Sequence, residues 1–434
     1  MTQCDDLGKC DLLEARFVDI LGRVKAMVIP LACPSGDLAE IARDPAVAKG
    51  ATADGSSVAG YMQIQDSDLL LVPDPTTLCR LPYDRRRAAA YCDVYPKGAR
   101  EPFQADSRTR LKAVLAEYLT PQQRIEIKPE LEFFLLNGGR PADQGHYLDV
   151  SPDNELSEHL DEFFRALAEM GVEVERVHHE CASGQVEVEL DFAPVVCQVD
   201  RLVSSKLLIR TMAQRAGLKA NFMPKPIWGV AGSGMHVHFR LHDQEENAFA
   251  GAGGELSAVG RQFAAGLLEH APALTAVCNP SVNSYKRLVP GHEAPVYIAW
   301  ARRNRSALVR IPLVSAPEQT AVELRSPDAT CNFYLALAAM VAAGMDGVRR
   351  GLEPPEERLE NIYQLTPAQL RHLRVSPLPG TLGEALDAFE RDDLVQGALG
   401  PLLAPQFLQI HRAVWEEYLH GVVTDWELRR YGEA

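Results

Sequence analysis

Charged or imidazole side chains, mainly glutamate and histidine, recur at every second position in four short stretches of this chain. In IEIKPELEFFLL, residues 125–136, Ile125, Ile127, Leu131 and Phe133 alternate with Glu126, Lys128, Glu130 and Glu132. A strand with that pattern buries one face and gathers the charges on the other. Gln185–Leu190 repeats it with Glu187 and Glu189, residues 235–239 put His236 and His238 on one face, and residues 321–325 do so with Glu323 and Arg325. Glu180 stands in His178-His179-Glu180, just ahead of the second stretch. One reading is four amphipathic strands with a solvated face, common in antiparallel sheets. Solvated faces usually mix Thr, Ser, Lys and Gln, however, and these carry mainly glutamate and histidine. If the faces converge, their carboxylates repel one another at a cost that only cations offset. Oxygen-rich ligation with one or two imidazoles suits Mg²⁺ or Mn²⁺ better than zinc.

Residues 275–312 supply the opposite charge. Lys286, Arg287, Arg302, Arg303, Arg305, Arg310 and, if protonated, His292 surround one carboxylate, Glu293. A basic island in a chain of net charge −15 faces something anionic: a phosphate, a carboxylate, or acids elsewhere in the fold. A solvated, salt-bridged surface is the competing reading. Clustered acids beside clustered guanidiniums point to metal-assisted phosphoryl transfer. No P-loop and no kinase signature is present, so a nucleotide would bind in another way.

The elements that position these groups belong to an α+β chain. Residues 12–31 read as a hairpin around Leu21-Gly22-Arg23, residues 35–48 as a short helix, and Asp54-Gly55-Ser56-Ser57 as a loop. Strands at 67–72 and 87–95 complete a small first section ending near residue 100. A helix at 106–118 opens the larger part. Strands follow at 124–136, 173–178, 185–191, 220–224 and 235–241, and then near 296–300, 307–311 and 321–325. Helices are predicted at 155–171, 198–216, 256–272 and 331–349, and the last 80 residues read as helical. No internal repeat or low-complexity tract appears.

A length of 434 residues predicts two domains, and 46% hydrophobic with 24% charged residues is ordinary for a soluble protein. The acidic balance excludes nucleic acid and anionic membrane as main partners. Nine cysteines, an odd number without a CxxC pair, predict a reducing compartment and no disulfide framework. The polar N-terminal MTQCDDLGKCD predicts no signal peptide, and the apolar run Phe333–Met345 is too short to span a bilayer. Together these predict a cytoplasmic protein.

Several longer motifs carry a resemblance. Asn221-Phe-Met-Pro-Lys-Pro226 with Gly232-Ser-Gly-Met-His236, and Asn283-Ser-Tyr-Lys-Arg-Leu-Val-Pro-Gly-His-Glu-Ala-Pro295, resemble the signatures of the glutamine synthetases. So do Arg303-Asn-Arg-Ser306, His179-Glu180 with Gly184-Gln185, and Asp54-Gly-Ser-Ser57. The match runs in order from about residue 12 to the C-terminus and is most similar to the shorter bacterial and archaeal type I enzymes. It implies a small N-terminal β-grasp domain (1–100) and a larger catalytic domain (101–434) with a curved, mainly antiparallel sheet and flanking helices. It also implies a homo-oligomer of twelve subunits with active sites between neighbours.

Position by position, the resemblance implies that Glu132, Glu180 and Glu187 hold one divalent ion and Glu130, His236 and Glu323 a second, either Mg²⁺ or Mn²⁺. Glu189 is left over, as a solvated or structural residue. Arg287 and Arg325 resemble the clamps on L-glutamate, with Gly232 in its loop. Arg305 and Arg310 resemble phosphate-binding residues and His238 a contact to ATP. Ser57, Tyr147 and Asp54 resemble parts of the ammonium pocket, Asp54 deprotonating ammonium for the next subunit. Glu293 resembles the glutamate of a closing loop. The implied product is glutamine, formed through γ-glutamyl phosphate.

Three positions depart from the family pattern. Ala231 replaces an Asn before Gly232, Arg240 a Ser two residues after His238, and Ala321 an Arg two before Glu323. The first touches the glutamate loop and the others the nucleotide side. They leave open a γ-glutamyl ligase for another amine, an alkylamine or polyamine, and a non-catalytic paralogue. The anionic ammonium pocket favours ammonium. Tyr363, where some relatives are adenylylated, lies in a departing context and reads as structural.

Overall fold

The computed structural model describes residues 8–62, 67–251, 255–291 and 293–433. Cys4, most of the N-terminal polar stretch and His292 therefore lie outside the described residues.

β1 (Cys10–Val18) and β2 (Val24–Ser35) form the predicted hairpin. Asp19 makes its turn, Oδ1 accepting from the N–H groups of Leu21 (3.0 Å) and Arg23 (2.8 Å). Gly22 adopts φ +75°, a conformation that favours glycine. A Cβ there would also crowd the Cα of Asn332 at 3.0 Å, because the turn packs against the second half of the chain. Asn332 Nδ2 donates to the Asp19 carbonyl (2.9 Å) across the same contact.

The single helix predicted over 35–48 is instead two, α1 (Leu38–Ile41) and α2 (Pro45–Lys49). Asp44 interrupts them: its carboxylate caps the Ala46 N–H and also accepts from Cys33 (2.8 Å), and Pro45 restarts the helix. β3 (Ala51–Asp54), β4 (Asp68–Pro73), β5 (Cys79–Leu81) and β6 (Asp84–Pro96) complete the first sheet. Its order is β2-β1-β6-β4-β3, with β5 beside β6 and only β1–β6 parallel.

α3 (Ser107–Tyr118) opens the larger part, capped by Asp106. Its Arg108 is buried and donates to Asp74 and Asp93 of the first section (both 2.8 Å) and to Asp200 (2.9 Å). Removing the guanidinium takes the cation from buried Asp200, which keeps only neutral Tyr334 among its described hydrogen-bond donors, and weakens Asp74, while Asp93 retains Lys112 (2.6 Å). Arg108→Ala is expected to lower the unfolding free energy by about 3–5 kcal/mol, read from a denaturant midpoint. A loss below about 1 kcal/mol, the scale of a surface pair, would show that this cluster does not join the two sections.

The second sheet comprises β7 (Gln123–Asn137), β8 (Arg140–Pro141), β9 (Val174–His179), β10 (Gln185–Leu190), β11 (Ala193–Pro194), β12 (Lys219–Asn221), β13 (Met235–Asp243), β14 (Glu246–Asn247), β15 (Trp300–Arg302), β16 (Val309–Ile311) and β17 (Val322–Leu324). The main path is β15-β16-β17-β13-β7-β10-β9, antiparallel except for β15–β16. Register decides what meets. Glu130 lies opposite His236 on β13 and Glu189 on β10, Glu132 opposite Glu187, and His238 opposite Glu323. Residues directly opposite share a face, so the four predicted polar faces are one.

The strand predicted at 296–300 starts only at Trp300, and that predicted at 307–311 only at Val309. Pro295 has no N–H to give a ladder, which leaves Ala294–Ala299 irregular apart from a bridge of Tyr297 to Pro377. Behind the sheet run α4 (Ser157–Glu169), α5 (Val195–Arg215), α6 (Ala258–Glu269), α7 (Ala271–Cys278), α8 (Ser284–Arg287) and α9 (Phe333–Arg350). The helix predicted through 272 breaks at His270, which caps α7 with Pro272 in its first turn. α9 is buried from Phe333 to Met345 and packs against α3, α5, α6 and α7. Its apolar side chains share one core with Ile125, Ile127, Leu131, Phe133, Val186, Val188 and Phe239, the apolar faces of the strands. The chain ends in α10 (Pro367–His372), α11 (Leu382–Glu390), α12 (Asp393–Gly421) and α13 (Asp425–Tyr431), but residues 352–360 are irregular rather than helical. The eight described cysteines are free, and no described helix is long and apolar enough to cross a membrane.

Candidate active site

The polar face of the second sheet floors a cavity of about 1170 Å³. Glu130, Glu132, Glu180, Glu187, His236, His238, Tyr147, Gly232, Arg287, Glu293, Arg305, Arg310 and Arg325 all line it. Glu323 lies directly beneath, fully buried, and accepts from Arg310 Nη1 (2.6 Å) and Arg325 Nη1 (3.3 Å). Asp54 and Ser57 do not line it. They sit at the exposed end of β3 and in the turn that follows it, where Asp54 accepts from the Ser56 N–H (2.9 Å) and hydroxyl (2.8 Å) and from Ser57 Oγ (3.3 Å). These bonds, the Ser56 hydroxyl first, hold the Asp54 carboxyl below its usual range.

The acids fall into two groups. Around His236, Glu130 Oε2 is 3.0 Å from Nδ1, Glu323 Oε1 3.8 Å from Nδ1, and Glu132 Oε1 3.8 Å from Nε2. Glu130 Oε1 also meets His238 Nε2 at 2.7 Å. Burial alone would raise the Glu130 pKa, but the two imidazoles hold it well below the carboxylate range. Glu323 is likewise lowered despite burial, through His238, Arg325 and Arg310.

In the second group only Glu180 is balanced, its pKa lowered despite burial by His178 and the Cys181 N–H. Glu132 accepts from the Gly234 N–H (2.9 Å) and Gln185 (3.2 Å), and Glu180 from the Cys181 N–H (2.8 Å) and His178 (3.2 Å). Among the described residues Glu187 meets only the His178 ring as a potential cation, at 3.9 Å. Burial, then the charges of Glu132, Glu130, Glu180 and Glu189, push Glu187 well above the usual carboxylate pKa, and burial with Glu180 raises Glu132. Buried carboxylates with this little positive charge between them form a donor set that a hard divalent cation fits.

Within 4.8 Å, candidate ligand atoms gather as Glu130, His238 and Glu323, and as His178, Glu187 and Glu189. These differ from the expected trios by exchanging His236 for His238 and by drawing in His178 and Glu189. Glu189 is not solvated: it is buried and bound by Lys128 (2.8 Å) and Arg176 (3.3 Å). His178 escapes sequence reasoning because its neighbours in His178-His179-Glu180 differ only in which side of one strand end they face. His179 points the other way, fully buried against Asp143 (3.0 Å).

On the cationic wall, Arg287 is buried and donates to the carbonyls of Ser326 (2.7 Å), Pro327 (3.1 Å) and Arg325 (3.1 Å). Gly232 passes so close that a Cβ would sit 3.0 Å from Arg287 Cγ and collide with the Pro224 carbonyl. Glu293, with φ +57°, stands at the mouth 3.6 Å from Arg305. Arg325 Nη2 reaches its carbonyl at 3.4 Å, and Tyr363, far from idle, donates from its hydroxyl to the carbonyl of Ala294 (2.9 Å). Tyr147 lies edge-on to His178 with ring centroids 5.7 Å apart.

A β-grasp sheet feeding a larger antiparallel sheet, with a cavity that sets clustered acids against clustered guanidiniums, defines an enzyme that holds a polyanion and transfers part of it. Comparison with known proteins agrees. Residues 9–97 match the family "Glutamine synthetase, beta-Grasp domain" and residues 104–431 "Glutamine synthetase, catalytic domain". The chain is 41% identical to the glutamine synthetase of Methanocaldococcus jannaschii, over 96% of this chain and 94% of that one. It is 43% identical to that of Thermotoga maritima (87% and 88%) and 41% to that of Thermus thermophilus (96% and 95%). Two solved structures of GmaS, one an ADP complex and one without ligand, superpose with TM-scores of 0.86 and 0.85 at 31% identity, the first covering 100% of both chains and the second 98% and 97%. The chain belongs to the glutamine synthetase family.

Proposed function

We propose that this enzyme ligates ammonium to the γ-carboxylate of L-glutamate at the expense of ATP, releasing glutamine, ADP and phosphate. The observation that carries it is the gathering of Glu130, Glu132, Glu180, Glu187, His236 and Glu323 with Arg287, Arg305, Arg310 and Arg325 around one cavity. It occurs in a chain about 40% identical, over nearly its whole length, to glutamine synthetases.

Arg287 and Arg325 hold the substrate's carboxylate while its γ-carboxylate oxygen attacks the γ-phosphorus of ATP. The bond to the bridging oxygen breaks and ADP leaves, giving γ-glutamyl phosphate. Arg305 and Arg310 compensate charge on the moving phosphoryl group. Two Mg²⁺ or Mn²⁺ ions, held by Glu132, Glu180 and Glu187 and by Glu130, His236 and Glu323, supply Lewis-acid neutralisation of the phosphates when bound. His238 contacts the nucleotide. Ammonium enters among Tyr147, Glu180 and Glu293, with Ser57 and Asp54 of the adjoining copy closing the pocket, and Asp54 takes its proton. Ammonia attacks the acyl carbon, phosphate departs, and Glu293 accepts a further proton.

The chain divides near residue 100 into the two domains, a reading supported by family matches ending at 97 and beginning at 104. We assign a cytoplasmic homo-oligomer, of twelve copies by family resemblance. Exposed Val423, Trp426, Leu428 and Tyr431 near the C-terminus give copies apolar surface to share.

Phosphate release from ATP, with glutamate and either ammonium or a panel of amines, tests the reaction. Ammonium should give the highest kcat/KM; an alkylamine or polyamine exceeding it would replace the acceptor. Shared sites make a separate prediction. Asp54→Ala and Glu187→Gln subunits should each be inactive alone. Co-assembled at equal amounts, they should recover about a quarter of wild-type activity, because random neighbours then unite intact halves. No recovery would confine the site to one chain.

A further inference from the structure

Arg240 and Ala321, two of the three departures from the family pattern, line the same end of the cavity. β13 pairs with β17 in antiparallel register, Phe239 opposite Val322, so Arg240 and Ala321 are the next cross-strand neighbours. An arginine is missing from one strand, and one has appeared directly across from it.

Arg240 is only partly buried, and its guanidinium lies 3.6 Å from the centroid of the Phe192 ring. Nη2 donates to the Gln319 carbonyl (3.2 Å), while Nε is buried without a hydrogen-bond partner among the described residues. Among the described residues no carboxylate lies within ion-pair distance of it: Glu126, opposite it on β7, and Asp191 and Glu175 act on its charge only from farther off. The turn that carries Gln319 is fixed: Asn247 Nδ2 donates to the carbonyls of Glu318 (2.9 Å) and Thr320 (2.8 Å). A planar cation that no carboxylate grips directly, backed by an aromatic ring and lying across the strand pair from an alanine, presents a flat face to the cavity. Guanidinium planes and aromatic rings are the surfaces on which nucleobases stack.

Position along the strand separates base from phosphate. Arg240 lies four residues from His236, roughly 13 Å at strand rise. That distance matches a triphosphate and ribose extending away from the acids that would hold the metal ions. Resting on the ATP reading above, we infer that Arg240 is a nucleotide-affinity residue: the purine ring of ATP stacks against the Arg240–Phe192 pair over Ala321, and the guanidinium has moved across the strand pair from position 321 to position 240.

ADP and inorganic triphosphate binding to the full oligomer, by calorimetry with Mg²⁺, tests this. Arg240→Ser should weaken ADP about tenfold or more while leaving triphosphate unchanged. Arg240→Lys, which keeps the charge and loses the plane, should weaken ADP similarly. Arg240→Ser combined with Ala321→Arg should restore much of the loss, which also guards against misfolding of the single variant. ADP binding equal to wild type in Arg240→Ser, or an equal loss for triphosphate, would overturn the assignment. If the wild type binds ADP and loses it in Arg240→Ser but forms no glutamine, the ligase reading falls and this one stands. If the wild type binds no ADP, both fall.

Discussion

Glu187→Gln is expected to lower kcat for glutamine formation by about a thousandfold while raising the melting temperature of the metal-free protein. Both effects follow from one feature. Glu187 is buried among the charges of Glu132, Glu130, Glu180 and Glu189, and among the described residues its one potential cation is the His178 ring, 3.9 Å away. Glutamine keeps the shape and removes one repelling charge, so the metal-free fold gains; the same change removes a hard oxygen ligand, so metal and turnover are lost. Equilibrium dialysis against Mn²⁺ with parallel thermal melts reads both. A variant that keeps wild-type Mn²⁺ content and turnover would remove Glu187 from the ligand set.

The pH dependence has a definite sign. An acid whose native pKa is raised holds a proton that the unfolded chain has released. Stability then falls as pH rises from the ordinary value of 4.5 towards the native one. The metal-free wild type should therefore lose stability above about pH 5. Some of that loss belongs to His179 and His270, whose pKa values are raised by their aspartate partners in spite of burial. The share due to Glu132 and Glu187 is the part that saturating Mg²⁺ abolishes, so stabilisation by Mg²⁺ should grow from pH 5 to pH 8. A metal effect that is flat across that window would contradict the assignment.

The second large effect concerns water. Glu293→Ala should leave assembly intact yet lower the glutamine formed per ATP from roughly one to below about one half, with glutamate-dependent ATP hydrolysis rising when ammonium is absent. The loop around Glu293 does not depend on its side chain for position. Its carbonyl is held by Arg325 and the next residue's by Tyr363, so alanine opens the mouth without releasing the loop. The left-handed backbone at Glu293 costs about 1–2 kcal/mol, which those contacts offset. An unchanged yield per ATP would take Glu293 out of both its shielding and its proton-accepting roles.

Period-two alternation disclosed the strands that carry the acids, because a half-buried strand must separate its apolar and polar residues by face. It marked Glu130, Glu132, Glu187, His236 and Glu323 together with Glu126, Glu189 and His238, and only the family resemblance chose among them. The hairpin at Leu21-Gly22-Arg23 and the buried helix Phe333–Arg350 were equally plain, since turn chemistry and an unbroken apolar run are local properties. Irregular segments were not. Asp44 split a predicted helix through bonds to β2, and the strand expected at 296–300 shrank to Trp300–Arg302.

The residue types, their alternation and the motif order were determined by the sequence alone, and with them the family, the class of fold and the kind of chemistry. What only the tertiary structure decided is which groups meet. Strand register set Glu187 against Glu132 and Arg240 beside Ala321, and placed Asp54 outside its own chain's cavity. It also turned Glu189 from a left-over acid into the buried partner of Lys128 and brought His178 to Glu187. Alternation along one strand says which face a side chain takes. Only the pairing of strands far apart in sequence says what stands opposite, because register is fixed by the packing of the whole sheet.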